Sequence, residues 1–244
     1  MSRRFLAGTF LLALGVRLAA LGAWEHLGLT ERLGNDPYPT YAKVLLGWLP
    51  PAPVVIHPPV YSFWVAGVFA LARQPSSLAV QTVNVLLGAG AALLFVLWAR
   101  RRLPEPAAKA AAVWLALDPL LVYFSPQLQS EPLFLFLLAL FFLGVDAAGP
   151  EPRKADALGL GLLGGVLTLT RSVVAVYPPF LVASALWARR SWKAAPVWLL
   201  LFAGWAVAPT LWGLRNVRAH GQFIPLATNG GWTMWEGFTL DREE

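Results

Sequence analysis

The 244-residue chain has no cysteine, which excludes disulfides and thiolate chemistry and leaves the redox compartment open. Charge is scarce as well. Only 13% of residues are Asp, Glu, Lys or Arg, about half the ~25% of an ordinary soluble domain. Long apolar runs take their place: 57% of residues are hydrophobic and the mean hydropathy is +0.59. Such a chain cannot cover a water-facing surface of its own size, so it is an integral membrane protein. The formal charge of +6 then marks cytoplasmic loops and contact with anionic lipid, and nucleic acid is not an expected partner. The twelve tryptophans suit the two interfacial belts.

A helix needs roughly 20 apolar residues to cross the hydrocarbon core. The apolar stretches are 5–24, 77–98, 107–124, 132–147, 157–174, 175–188 and 195–213. Ser2-Arg3-Arg4 before the first one resembles a signal peptide, but the run is too long and lacks a small-residue cleavage site, so it reads as an uncleaved span. With the N-terminus inside, these spans put Arg3-Arg4, Arg100-Arg101-Arg102 with Lys109, Arg153-Lys154, and Arg189-Arg190 with Lys193 on the same side. That arrangement satisfies the positive-inside rule at each turn. A crossing by Val60–Ala72 would flip every later cluster outward, so 57–73 is expected to be an interfacial or re-entrant helix on the outer side. The expected fold is all-α, a polytopic bundle of about seven spans. It reads as one domain over 1–244: a first span (1–24), an outer loop with interfacial helices (25–76), the remaining spans (77–213), and an outer tail (214–244). An outer turn is expected near Tyr177-Pro178-Pro179, since proline breaks helices.

This topology gathers ionisable residues on the outer face, where they are candidate site residues by default. Asp36 stands in Asp36-Pro37-Tyr38-Pro39-Thr40-Tyr41. It is either a turn residue flanked by interfacial tyrosines or a general base at the rim of an apolar bundle. His57-Pro58-Pro59 is a rigid corner or a binding element, and no second histidine accompanies it at metal-ligand spacing. Glu131, between Ser130 and Pro132, is a standard helix start or a second site carboxylate. Arg17 and Arg171 lie inside apolar runs, where an arginine costs roughly 2.5–3.5 kcal/mol. Each is expected to face the bundle or to snorkel outward, and either the phosphate of a lipid carrier or a buried carboxylate such as Asp36 or Glu131 is a fitting partner. Gly159-Leu160-Gly161-Leu162-Leu163-Gly164 matches a dinucleotide fingerprint, yet no strand precedes it. Gly161 and Gly165 read instead as a close-packing helix motif. The segment from Arg215 to His220, followed by Thr228-Asn229-Gly230-Gly231, reads as an ordered outer loop.

In order, these elements resemble the glycosyltransferase-C superfamily, specifically the family 39-like polyprenyl-phosphate-dependent enzymes. That group includes protein mannosyltransferases and the aminoarabinose transferases of lipid A. The matching residues are Arg17, Asp36 with Tyr41-Ala42, His57-Pro58-Pro59-Val60-Tyr61, Val83-Asn84, Ser130-Glu131-Pro132, Thr168-Leu169-Thr170-Arg171, Arg215-Asn216 and Thr228-Asn229-Gly230-Gly231. The resemblance implies a sugar donor on a polyprenyl phosphate and a lipid, glycan or protein acceptor, in the inner (plasma) membrane. Transfer would take place at the outer face with inversion. Asp36 would be the base, with Glu131, Arg171, Tyr41, His57, Arg215 and Asn229 holding donor or acceptor. Neither a metal nor a cofactor is asked for, the lipid-linked sugar being a substrate. Two departures stand out. Family members usually continue for several more spans, so the chain is expected to be a fragment, the product of a truncated gene, or a minimal form. Ser172 follows Arg171 where proline is common. The competing reading is a non-catalytic membrane subunit, or a protein that binds or transports a lipid-linked sugar.

Overall fold

The structure, a computed structural model, describes residues 1–29, 37–149, 152–189 and 195–229. These residues are helical, with no strand among them. In chain order the helices are α1 (Arg3–His26), α2 (Pro37–Leu45), α3 (Val60–Ala72), α4 (Ser77–Ala99), α5 (Glu105–Leu117), α6 (Pro119–Phe124), α7 (Glu131–Ala148) and α8 (Lys154–Thr170). A 3-10 turn (Ser172–Val176), α9 (Tyr177–Arg189) and α10 (Ala195–His220) follow. Among the described residues α1, α4, α7 and α10 are long and apolar enough to cross a membrane. The α3 helix spans 13 residues, about 20 Å at 1.5 Å per residue, and so is shorter than a ~30 Å hydrocarbon core.

Local chemistry sets the helix ends. Ser2 Oγ accepts from Phe5 N at 3.2 Å and Ser76 Oγ from Ala79 N at 3.2 Å, each satisfying an amide that the helix itself cannot. Three expectations about boundaries need correction. The single span expected over 107–124 is two helices: Asp118, which precedes Pro119, is extended (φ −51°, ψ 119°) and caps α6 through Leu121 N at 3.0 Å. Steric clash with a following proline ring disfavours the helical region for the residue before it. The turn expected near 177–179 lies earlier, at Arg171 (φ −145°, ψ 117°) and the 3-10 segment. Pro178 and Pro179 occupy the first turn of α9, where the missing N–H had no intrahelical acceptor to lose. Arg215, Asn216, Arg218 and His220 belong to α10, which runs past the expected end at 213.

The chain forms two compact units, Met1–Pro50 with Tyr61–Pro150, and Pro51–Val60 with Glu151–Glu244. In the first, α4 is central and packs on α1, α5 and α7. Ala13, Ala89, Ala92 and Ala116 meet at the junction of α1, α4 and α5. Such small side chains let helix backbones approach where lipid removes the hydrophobic drive. Polarity is inverted relative to a soluble domain: Arg17, Gln81, Asn84 and Ser125 are buried, whereas Leu11, Leu18, Trp114 and Leu120 face outward. The far end of α4 carries the charge. There Arg102 pairs with Asp146, Lys109 Nζ lies 2.9 Å from Glu105 Oε1 and 5.7 Å from the Phe5 ring centre, and the N-terminal amine lies 3.4 Å from Glu105. Arg3, Arg4, Arg100 and Arg101 are exposed on the same elements.

The second unit is built on α8 against α10. Gly161 and Gly204 face each other: a Cβ on Gly204 would lie 2.9 Å from Leu158 O and 3.3 Å from the Gly161 Cα. Trp205 Nε1 donates to Thr168 Oγ1 at 2.7 Å, and Thr168 donates to Gly164 O at 3.0 Å. The glycine run at 159–165 is thus a helix-packing surface, with Trp205 lying over Gly164 and Gly165.

Candidate functional site

Asp36 lies outside the described residues; α2 begins at the next position, Pro37. This helix buries Tyr38, Tyr41 and Ala42. Burial pushes the Tyr41 phenol up from its usual pKa, so it stays a protonated donor at neutral pH. Tyr38 meets Tyr61 edge-on, with ring centres 4.9 Å apart. Asn84 Nδ2 in turn donates to Tyr61 Oη at 2.7 Å and to Gln127 O at 2.7 Å. Gln81 Nε2 donates to Pro126 O at 2.8 Å. The first loop is therefore tied through α3 to α4, and α4 to the segment 125–130 that leads to Glu131. Gln81 escaped the sequence reading, and Asn84 was seen only as part of a motif. Their signal was there: Gln81, Asn84 and Gly88 are the i, i+3 and i+7 positions of one face, in a helix otherwise almost wholly apolar.

Two more candidates meet in the same unit. Arg17, 1% exposed, donates through Nε to Ser125 Oγ at 3.1 Å. Its Nη1 reaches Ala13 O at 3.1 Å and Ala116 O at 3.0 Å, and its Nη2 reaches Leu115 O at 3.3 Å. Leu115 and Ala116 end α5, where carbonyls lack intrahelical donors and the helix dipole is negative. The guanidinium thus caps α5 across the chain. Arg17 and Glu131 line one small cavity, beside Gly88 and Ser125.

The second unit holds the remaining candidates. Val55 O accepts from Thr228 N at 2.9 Å and Ile56 O from Asn229 N at 3.1 Å. This backbone pairing brings Asn229 Nδ2 to 3.3 Å from His57 Nδ1, although 172 residues separate the two. With the amide donating, Nδ1 accepts and a neutral ring holds its proton on Nε2. Arg215 Nη1 donates to Asn216 Oδ1 at 2.9 Å, lies 3.2 Å from His220 Nε2, and stacks its guanidinium 4.9 Å from the Trp212 ring. Asn216 Nδ2 closes the loop onto Ile224 O at 2.8 Å. Arg171 stands at the C-terminal cap of α8, half-buried, and its extended backbone begins the 3-10 turn.

Burial pushes the His57 imidazole below its usual pKa, and this has a consequence for stability. The unfolded chain takes up the proton first as pH falls through about 6.5, so the folded state loses stability from there down to the folded pKa. Melting temperature in detergent should therefore drop more steeply for the wild type than for His57→Gln between about pH 7.5 and about pH 5.5. Parallel curves would show that His57 is not the group responsible.

Comparison with curated proteins and with solved structures finds no match. Comparison with protein families does: residues 56–212 match the family of dolichyl-phosphate-mannose-protein mannosyltransferases. The matched stretch covers well over half of the chain, takes in His57, Glu131 and Arg171, and leaves Arg17, Asp36, Tyr41, Arg215 and Asn229 outside it. With apolar helices long enough to cross a membrane and a polar interior centred on α4, the chain belongs to this family of membrane glycosyltransferases, which draw their sugar from a polyprenyl-phosphate carrier.

Proposed function

We propose that the chain transfers a sugar from a polyprenyl phosphate to an acceptor hydroxyl at the outer face of the plasma membrane, with inversion and with Asp36 as base. The family match over residues 56–212 carries the reading. Its topological half draws support from α4. Asn84 and the basic cluster at Arg100 are sixteen residues of helix apart, about 24 Å at 1.5 Å per residue. The polar network and the basic residues thus belong to opposite ends of one spanning helix, as expected of a multi-pass protein with a cytoplasmic N-terminus.

In the proposed step the Asp36 carboxylate takes the proton of the acceptor hydroxyl, and the oxygen attacks the anomeric carbon from the face opposite the phosphate. The bond from that carbon to the phosphate oxygen breaks, and its electron pair leaves with the polyprenyl phosphate. A guanidinium, Arg171 or Arg215, stabilises the departing dianion. Glu131, Tyr41, His57 and Asn229 hold hydroxyls of donor or acceptor, which is a lipid, a glycan or a protein. The chain in lipid vesicles should transfer labelled sugar from a polyprenyl-phosphate donor and not from a nucleotide sugar. Binding of the lipid-linked sugar without turnover would overturn catalysis and favour a binding or transport role.

A further inference from the structure

We infer that Arg215 is a two-point site for a phosphate carried on a lipid, and that Trp212, Asn216 and His220 position it; the inference rests on the proposed use of a polyprenyl-phosphate donor. All four residues belong to α10. A guanidinium only donates, through two N–H on each Nη and one on Nε. At Arg215 the Nη1 pair has two acceptors, Asn216 Oδ1 at 2.9 Å and His220 Nε2 at 3.2 Å. His220 therefore accepts through Nε2, and its own proton lies on Nδ1. Trp212 covers one face of the guanidinium, whose Cζ lies 4.9 Å over the ring centre. Asn216 is itself fixed, since it is fully buried and its Nδ2 donates to Ile224 O at 2.8 Å. The turn at Gly221 (φ 71°) lays Phe223 against Gly213 and holds that loop on the helix. With the Nη1 side and one face occupied, the Nε–Nη2 edge is left, and among the described residues it meets no acceptor. Such an edge presents two parallel N–H groups, which two oxygens of a phosphate match.

Among the described residues of the second unit the one carboxylate is Asp156, and it pairs with Arg153 at 2.8 Å. It also lies at the far end of the helix pair. The α8 and α10 helices run in the same direction, with Gly161 beside Gly204 and Gly165 beside Ala208. Asp156 precedes the first of these contacts by five residues and Arg215 follows it by eleven, about 24 Å in all at 1.5 Å per residue. A half-buried cation so far from that carboxylate draws an anion from outside the chain. Leu211, Leu214 and Val217 beside it are exposed, so the lipid surface reaches the level of Arg215 and favours an anion that arrives on a lipid.

The test measures retention of labelled polyprenyl phosphate by the full chain in phosphatidylcholine nanodiscs. Arg215→Lys and Arg215→Gln should each weaken it by about tenfold or more, because lysine keeps the charge and loses the two-point edge. His220→Phe should weaken it by about threefold or more, whereas His220→Gln keeps an acceptor and should stay near wild type. Arg218→Gln, exposed one turn further on, should change it by less than about twofold. In transfer assays Arg215→Lys and His220→Phe should raise KM for the lipid donor and leave KM for the acceptor unchanged. Wild-type affinity in Arg215→Lys would overturn the site, and equal losses in Arg218→Gln and Arg215→Gln would replace it with diffuse attraction. Equal losses in His220→Gln and His220→Phe would remove the positioning role. Phosphatidylglycerol displacing the label as well as polyprenyl phosphate does would support the site with bulk headgroups as its source. Displacement by inorganic phosphate, or equally by unphosphorylated polyprenol, would refute a lipid-borne phosphate. A wild type that binds polyprenyl phosphate through Arg215 yet transfers no sugar would sink the proposed catalysis and leave the site standing.

Discussion

Asp36→Asn should lower kcat for transfer from a polyprenyl-phosphate sugar by about 10²–10⁴-fold, the usual contribution of a positioned base, with KM little changed. The amide is nearly isosteric with the carboxylate and still accepts a hydrogen bond through its oxygen, so binding geometry survives. What it loses is the ability to take a proton. Support for a base at this position comes from the helix that follows it. Pro37 opens α2, and Tyr38 packs on Tyr61, which is held by Asn84 of the spanning helix α4. A catalytic group in the first loop thus has a rigid neighbour within two residues. Near-normal turnover in Asp36→Asn, measured with purified chain in vesicles, would mean that the base lies elsewhere.

The second large effect is structural and separates the two meanings of the glycine run. Gly161→Leu should cost about 3 kcal/mol or more, at the upper end of overpacking penalties. The added Cβ would meet Leu201 O and approach Trp205 N to 3.0 Å and the Gly204 Cα to 3.1 Å, all main-chain atoms of α10. A side chain can rotate out of the way, but a helix backbone cannot without opening the whole α8–α10 crossing and breaking the bond from Trp205 to Thr168. By contrast Gly159, two residues earlier and exposed, has nothing within 4 Å of an added Cβ. Gly159→Ala should stay within about 0.5 kcal/mol, or gain slightly from helix propensity. Were the run a phosphate-binding loop, Gly159 would be as intolerant as Gly161. Thermal melting of the two variants in the same detergent therefore decides between packing and nucleotide binding. Equal losses would count against the packing account.

Some of the site was open to sequence reading because the physics is local. Val60–Ala72 is a 13-residue helix, and its shortness was plain from counting apolar residues between His57 and Arg73. Gly161 and Gly165 declared themselves by spacing. Prolines were harder. At 119 the proline interrupts what looked like one apolar run, and at 178–179 two prolines begin a helix where a turn was expected. The same ring destabilises a helix interior and suits a first turn, so its meaning depends on where the previous helix ends. That end was set by Arg171, whose extended backbone closes α8.

Composition alone determined that this is a membrane chain. Ordered motifs pointed to lipid-linked sugar transfer, since scarcity of charge and the spacing of polar residues are properties of the chain before it folds. Only the tertiary structure decided who meets whom. His57 pairs with Asn229 because residues 54–57 and 228–229 run together in the second unit. Arg17 caps α5 and shares a cavity with Glu131 because four small alanines draw α1, α4 and α5 close. Contacts between residues a hundred or more positions apart depend on where helices cross. Those crossings come from packing summed over whole surfaces, which no local pattern in the sequence spells out.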